Sequence, residues 1–215
     1  MKTIYLKDAV ALIPDGASVM IGGFMGVGTP ERLVDELVRQ GKRNLTVIAN
    51  DNALPGIGIG KLISAGAVKK TIASHIGLNP ETQKKMLAGE LEVDLVPQGT
   101  LIERIRAGGF GLGGVLTPTG VGTVVEKGKQ RIEVEGKPYL LETALRADFA
   151  LVQAFLADYV GNLYYALTAR NFNPVMAMAA DTVIVDAENI VPVGVISPDQ
   201  VVTPAPVVDY IISHA

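Results

Sequence analysis

Ser18-Val19-Met20-Ile21-Gly22-Gly23-Phe24-Met25-Gly26-Val27-Gly28-Thr29-Pro30-Glu31 is the stretch on which the fold turns. Ser18 to Ile21 reads as a short buried strand. Thr29 is placed to act as an N-cap, with Pro30 at the first helical position and Glu31 in the first turn, where a carboxylate meets the positive end of the helix. Leu33, Val34, Leu37 and Val38 then share one helical face, and Gly41 ends the helix. The glycines between strand and helix admit two readings. They would let a phosphate or thioester approach bare backbone, beside N–H groups and a helix N-terminus. They would equally serve a tight βα turn with no ligand. The spacing is neither that of a P-loop, since no Gly-Lys-Ser/Thr follows, nor that of a dinucleotide fingerprint.

The strand-turn-helix pattern recurs outward from this stretch. Leu45 to Ala49 is the next strand, and a helix covers Lys61 to Ala65. Val68 to Ser74 is another strand, Asn79-Pro80-Glu81 opens a helix that Gly89 closes, Glu92 to Val96 is a strand, and Leu101 to Ala107 is helical. The alternation predicts an α/β protein with an open, mostly parallel sheet and helices on both faces. Residues 108–123 break the pattern with seven glycines and a proline. Gln130 to Val134 and Pro138 to Leu141 follow as two short strands around Glu135-Gly136-Lys137, so a small antiparallel β insert is expected over about 108–142. Phe149 to Ala154 and Thr182 to Val185 resume as core strands. From Val191 onward, prolines and valines predict extended chain wrapped over the body. No repeat or linker divides 1–215, which reads as one domain.

With 215 residues, 48% apolar and 19% charged, the chain can bury a large core and is not disordered in character. A net charge of −3 argues against binding nucleic acid or anionic membranes electrostatically. The absence of cysteine excludes disulfides, thiolate metal sites and a thiol nucleophile within this chain. Only His75 and His214 are present, so no histidine metal cluster is expected. The first residues lack a signal-peptide core, and the apolar runs are short of a membrane span, so a soluble, cytoplasmic protein is expected.

Several polar groups fall where open α/β sheets collect ligands, beyond the carboxyl ends of strands. Asn50-Asp51-Asn52 follows one strand; the amides of Asn50 and Asn52 can hydrogen-bond a carboxylate or carbonyl with Asp51 orienting them, or the trio is an Asx-rich turn. Gln98, on a Pro97-Gln98-Gly99-Thr100 turn, can grip a carboxylate without adding charge, or bond backbone at a helix entry. His75, at a strand end, reads first as structural. Thr117, Thr119 and Thr123 lie in the glycine-rich stretch, which is either a lid or close packing at a subunit contact. Arg170 and Asn171 suit buried hydrogen bonds that hold loops together. Arg104 and Arg106 can meet phosphates or remain solvated helix charges.

The run from Asp15-Gly16 through Ile21-Gly22-Gly23-Phe24 to Gly28-Thr29-Pro30 resembles the signature of the first subunit of class I CoA-transferases. Further similar blocks are Ala49-Asn50-Asp51-Asn52, Ser74-His75-Ile76-Gly77, Val96-Pro97-Gln98-Gly99-Thr100-Leu101, Ala107-Gly108-Gly109, Leu116 to Thr123 and Ala169-Arg170-Asn171-Phe172-Asn173. They span nearly the whole chain and look most like the α subunits of acetate/acetoacetate CoA-transferases. The resemblance implies transfer of CoA between an acyl-CoA and a short-chain acid such as acetate, acetoacetate or butyrate. It implies a ping-pong route through an acyl–glutamyl anhydride and a glutamyl-CoA thioester. The family's nucleophile stands in a Ser-Glu-Asn-Gly-like motif on the other subunit, and no such motif occurs here; the nearest run is Ala187-Glu188-Asn189-Ile190. The resemblance therefore implies half of an enzyme, with no catalytic nucleophile in this chain and a homologous β subunit as partner, in an α2β2 assembly. Phe24, Met25, Gly26, Val27, Gly28, Thr29 and Pro30 are the expected CoA contacts, with Gln98, Asn50 and Asn52 orienting the acid. CoA is a substrate, and no resident cofactor or metal is expected. The alternatives are a non-catalytic CoA- or nucleotide-binding regulatory module and a self-contained sugar-phosphate isomerase.

Overall fold

The computed structural model describes residues 2–213, so His214 lies outside the described residues. In chain order the elements are β1 (Lys2–Ile4), α1 (Leu6–Ala11), β2 (Ser18–Ile21), α2 (Glu31–Arg39), β3 (Leu45–Asp51), α3 (Ile59–Ser64), β4 (Val68–His75), α4 (Pro80–Leu87) and β5 (Glu92–Leu95). They continue with α5 (Gln98–Gly109), β6 (Gly114–Thr117), β7 (Arg131–Val134), β8 (Lys137–Thr143), β9 (Ala147–Asp158), β10 (Leu163–Tyr164), α6 (Asn173–Met178), β11 (Ala180–Val191) and β12 (Tyr210–Ile212). The main sheet runs β1-β12-β11-β9-β2-β3-β4-β5, with β10 attached to β9. Every neighbouring pair on that path is parallel, and only β10 runs antiparallel to its partner.

Strand alternation divides the core between the two faces of this sheet. Val19 and Ile21 of β2 join Val10, Leu33, Leu37, Leu62 and Ile63 from α1, α2 and α3 on one face. Met20, between them, joins Leu101, Ile105, Met176 and Ala177 from α5 and α6 on the other. A one-residue slip of β2 would exchange these sets, so packing on both faces pins its register. Two local signals act as expected: Asn79 accepts a hydrogen bond from the Thr82 N–H at 3.0 Å at the start of α4, and Gly41 follows α2 with φ +66°.

The strand order also sets where a ligand can go. From β2 the chain steps outward through β3 and β4 to β5, then returns beside β2 as β9 and builds outward the other way. The carboxyl ends of β2 and β9 therefore flank the switch point of the sheet, where open α/β folds have their crevice. The Gly22–Pro30 loop leaves β2 there.

The structure corrects several sequence expectations. β9 and β11 are twelve-residue strands, two and three times as long as their apolar cores suggested, because pairing continues through polar positions such as Asn189 opposite Leu156. The C-terminal segment does not only wrap the outside: β12 enters the sheet between β1 and β11. The glycine-rich stretch is neither one lid nor one loop. Gly108 and Gly109 belong to α5, where an added Cβ would stand 2.2 Å from the Leu145 carbonyl oxygen and 2.7 Å from the Met178 Cβ. Their glycine is required by packing within this chain. The antiparallel insert forms a β6-β8-β7 sheet over 114–143, closed by a turn in which Glu135 and Gly136 both have positive φ, as a two-residue type I′ hairpin demands.

Candidate functional site

The glycine loop is a miniature hairpin. Phe24 and Val27 exchange backbone hydrogen bonds at 3.0 and 2.9 Å, and Met25 (φ +50°) and Gly26 (φ +91°) form the turn between them. Almost every backbone N–H along the loop is already donated. That of Gly22 goes to the Leu151 carbonyl, that of Gly23 to Asn171 Oδ1, that of Met25 to the Asp51 carboxylate and that of Thr29 to the Gly26 carbonyl. Six of the eight N–H groups from Gly22 to Thr29 are used in this way, so the expected anion cradle is reduced to the N–H groups of Gly26 and Gly28. The glycines also face protein: a Cβ at Gly22 would meet Asn173 Oδ1 at 1.8 Å, one at Gly23 would meet Thr29 Oγ1 at 2.1 Å, and one at Gly28 would meet the Ala169 carbonyl oxygen at 2.7 Å. What the hairpin presents to solvent is apolar, namely the side chains of Phe24, Met25 and Val27.

Two polar anchors hold this hairpin over the sheet. Asp51, buried at the end of β3, accepts the Met25 N–H and, at 2.7 Å, the Ala53 N–H. Asn173, fully buried at the start of α6, accepts the Gln153 N–H at 3.0 Å. Its amide donates to the carbonyls of Gly28 at 2.9 Å and Ala169 at 2.8 Å. Met25 is a bulky residue in the left-handed region, a conformation costing on the order of 1–3 kcal/mol, and the bond to Asp51 holds it there.

Beside the hairpin, a row of side chains crosses the strand ends. Gln98 Nε2 donates to Asn50 Oδ1 at 2.6 Å, and Asn50 Nδ2 donates to Asp51 Oδ2 at 2.6 Å. Ser74 Oγ donates to the Asn50 carbonyl at 2.6 Å. Asp51 accepts only, so it turns the Asn50 amide with its oxygen toward Gln98, and Asn50 in turn fixes the Gln98 amide. One N–H of Gln98 is left for a ligand. These residues, with His75, Phe24, Met25 and Leu78, line a cavity of about 360 Å³. It has amide, hydroxyl and imidazole groups on one side, apolar walls on the other, and no lysine or arginine in its lining. Such a cavity suits a small carboxylate or carbonyl held by neutral donors.

The sequence profile of the coenzyme A transferase family matches residues 3–214. The chain belongs to the coenzyme A transferase family. It is 57% identical over 211 residues to acetate CoA-transferase subunit alpha of Escherichia coli strain K12, covering 98% of this chain and 96% of that one. It is 53% identical over 213 residues to the acetoacetyl-CoA:acetate/butyrate CoA transferase alpha subunit of Clostridium acetobutylicum, covering 99% and 98%. Among solved structures, an acyl-CoA transferase from Escherichia coli O157:H7, determined as a thioester complex with CoA, superposes with a TM-score of 0.86 at 23% identity. The match covers 98% of this chain and 46% of that one, and it shows a shared fold. Family membership favours the CoA-transferase reading over the regulatory module and the isomerase.

Within this CoA-transferase chain, the structure gathers Asn50, Gln98, Phe24 and Met25 around one cavity and sends other expected residues elsewhere. Asn52 turns inward: its side chain accepts from Thr71 Oγ1 at 2.9 Å, its backbone carbonyl accepts from Asn79, and it is 1% exposed, so it does not face the cavity. Thr29 and Pro30 are buried, and Thr29 is not the N-cap. α2 starts one residue later, with Pro30 in the cap position, and the Thr29 hydroxyl packs against Gly23 and Gly58. Gln98 lies in the first turn of α5 and not on a preceding turn. Arg104 is spent on the β insert, donating to the Thr143 carbonyl at 2.8 Å, so it does not reach outward to phosphates. Arg170 is exposed and its guanidinium donates no hydrogen bond among the described residues, whereas Asn171 does tie loops together by donating to the Val27 carbonyl at 2.9 Å. Among the described residues, no helix is long and apolar enough to cross a membrane.

The sequence reading gave no role to Asn173 and only an orienting one to Asp51. A signal was present for the first: two asparagines around Phe172, directly before Pro174 and the apolar run Val175 to Met178. Buried amides are kept where they close hydrogen bonds that nothing else can.

Proposed function

We propose that this chain is the α subunit of a cytoplasmic CoA-transferase that exchanges CoA between an acyl-CoA and a short-chain monocarboxylate of the acetate, butyrate or acetoacetate type. The observation that carries this reading is the cavity at the strand ends. It offers neutral donors and apolar walls, and its one carboxylate, Asp51, is buried and committed to two backbone N–H groups. The covalent chemistry of CoA transfer needs a free carboxylate that attacks the thioester carbon and expels CoA as thiolate. That group has to come from outside this chain, and the relatives' designation as alpha subunits supports a β partner that supplies it as a glutamate.

In this reading Gln98, aligned through Asn50, holds the carboxylate of the incoming acid, and Phe24, Met25 and Val27 cover the arm of CoA. A neutral grip suits a site that also holds an anionic glutamate, since a buried like charge would raise the cost of ionising either group. Binding energy gathered along CoA then positions the acyl carbon for a weak nucleophile. CoA remains a substrate and no resident group is required. The assembly is α2β2, and its mass in solution checks that stoichiometry.

The test is co-expression with a homologous β chain that carries the Ser-Glu-Asn-Gly-like motif, followed by thioester exchange over a panel of acids. The isolated chain should be inactive and the complex active. Hydroxylamine trapping after incubation with acyl-CoA should mark a glutamate of the partner only. Turnover by the isolated chain, or a labelled glutamate within it, would overturn the reading.

A further inference from the structure

Three cavities share lining residues in series, from the acid site to a basic one. The site cavity shares Phe24 and Met25 with a larger apolar cavity of about 650 Å³, whose lining also includes Val27, Thr168 and Asn171. Asn171 in turn lines a third cavity, of about 540 Å³, together with Arg106, Phe110 and Arg170. α5 spans the same route: it begins at Gln98 in the first cavity and carries Arg106 in the third. Eight residues separate them, or about 12 Å of helix at 1.5 Å per residue.

The chemistry changes in a definite order along this route. Neutral amides come first, apolar side chains second and two guanidinium groups third. An acyl-CoA has the same order, with its acyl group, then the pantetheine arm, then the phosphates. The two arginines are also available. Among the described residues, the Arg170 guanidinium is exposed and donates no hydrogen bond, and that of Arg106 holds only Glu103, at 3.1 Å in an i, i+3 pair with both side chains 47% exposed. Exposed pairs of that kind contribute little and exchange partners readily. The third cavity has no acidic residue in its lining, and arginine's planar fork suits phosphate oxygens.

We propose that Arg106 and Arg170 form the subsite for the phosphates of CoA, at the far end of the track from Gln98. This rests on the reading of the chain as a CoA-transferase subunit. It adds two binding residues and a direction for the bound substrate along α5.

The test uses the assembled complex with the β partner. Two thioesters separate the phosphate end from the reacting end: acetyl-CoA, and S-acetylpantetheine, which lacks the phosphates and nucleotide. In Arg106→Gln/Arg170→Gln, KM for acetyl-CoA should rise about tenfold or more, while kcat/KM for S-acetylpantetheine should stay within twofold of wild type. Calorimetric titration with adenosine 3′,5′-bisphosphate reads the same site without turnover. Wild type should bind it in a salt-sensitive way, and the double variant about tenfold more weakly. Equal effects on the two thioesters, no effect on either, or unchanged bisphosphate affinity would overturn the proposal. A wild-type complex that binds the bisphosphate but transfers no CoA would sink the functional reading and leave this site standing as a phosphate site.

Discussion

Replacing Asp51 by asparagine should uncouple the apolar hairpin from the amide row. One carboxylate oxygen accepts the Ala53 N–H at 2.7 Å; the other accepts the Met25 N–H at 3.0 Å and the Asn50 amide at 2.6 Å. Asparagine keeps the shape but turns one acceptor into a donor, which then faces an N–H whichever way the amide is set. Hydrogen bonds to a charged group contribute roughly 1.5–3 kcal/mol each, so losing one and weakening the others comes to about 2–4 kcal/mol. At about 2–4 °C per kcal/mol for a domain of this size, Tm should fall by about 4–16 °C. If about 1.4 kcal/mol of the loss is felt in placing the hairpin and Asn50 in the transition state, kcat/KM falls tenfold. The positive φ of Met25 gives the argument a second arm. Adding Met25→Gly to Asp51→Asn should return part of the lost Tm, because glycine takes that conformation without steric cost. Thermal unfolding of the assembled complex and steady-state transfer rates measure both arms. An Asp51→Asn variant within a degree of wild-type Tm and within twofold in kcat/KM would refute the assignment of Asp51 as the anchor.

Gln98→Ala should lower kcat/KM by about tenfold for the free acid and for acyl-CoA alike, since the two half-reactions cross the same transition states in opposite directions, while leaving Tm within a few degrees of wild type; Gln98→Glu should be worse, and unchanged rates in both half-reactions would remove Gln98 from the site. Gly22→Ala should cost at least about 2 kcal/mol, because its Cβ would stand 1.8 Å from Asn173 Oδ1 in a buried setting, whereas Gly41→Ala, with open space and φ +66°, should cost about 1 kcal/mol; equal midpoints in denaturant would contradict this. Burial pushes the Asp158 carboxyl up, but the hydrogen bonds from the Asn162 side chain and from the N–H groups of Asn162, Val160 and Gly161 outweigh it and hold the group below the usual carboxylate range. A depressed value gives stability that is present above the unfolded carboxylate range and is lost as pH falls through the folded value, so Asp158→Asn should cost about 1.5–3 kcal/mol at pH near 7 and progressively less as pH falls below the usual carboxylate range; a cost that does not shrink with acid would refute it.

How far the sequence could be read depended on the distance over which each feature is decided. The β2 strand, the Asn79 cap, the Gly41 stop and the Glu135-Gly136 turn depend on neighbours a few residues away, and all four are found where local chemistry puts them. The end of β12 inside the sheet, the full length of β9 and β11, and the switch point between β2 and β9 depend on pairing between distant segments. Asn171 and Asn173 reach back to the glycine loop across 148 and 145 residues, a relation that no window along the chain contains. Arg104 and Arg106 are two residues apart on α5 and looked alike. Only the position of the β insert decides that Arg104 is tied to Thr143 while Arg106, paired with the exposed Glu103, lines a cavity.

The glycine loop shows why a correct motif can carry an incorrect reason. A position that tolerates only glycine reports that some atom lies close to the backbone, and a ligand phosphate and a protein side chain leave the same trace. At Gly22, Gly23 and Gly28 the atoms are Asn173 Oδ1, Thr29 Oγ1 and the Ala169 carbonyl oxygen. The glycines therefore build the loop and leave little free backbone for an anion. That shifts the ligand-facing chemistry to the side chains of Phe24, Met25 and Val27, which the tight packing beneath them keeps at the surface. An apolar, inward-tethered hairpin suits the uncharged arm of CoA better than its phosphates. A phosphate subsite is then better sought away from the loop, where guanidinium groups are exposed, and α5 leads from Gln98 toward such a place at Arg106 and Arg170.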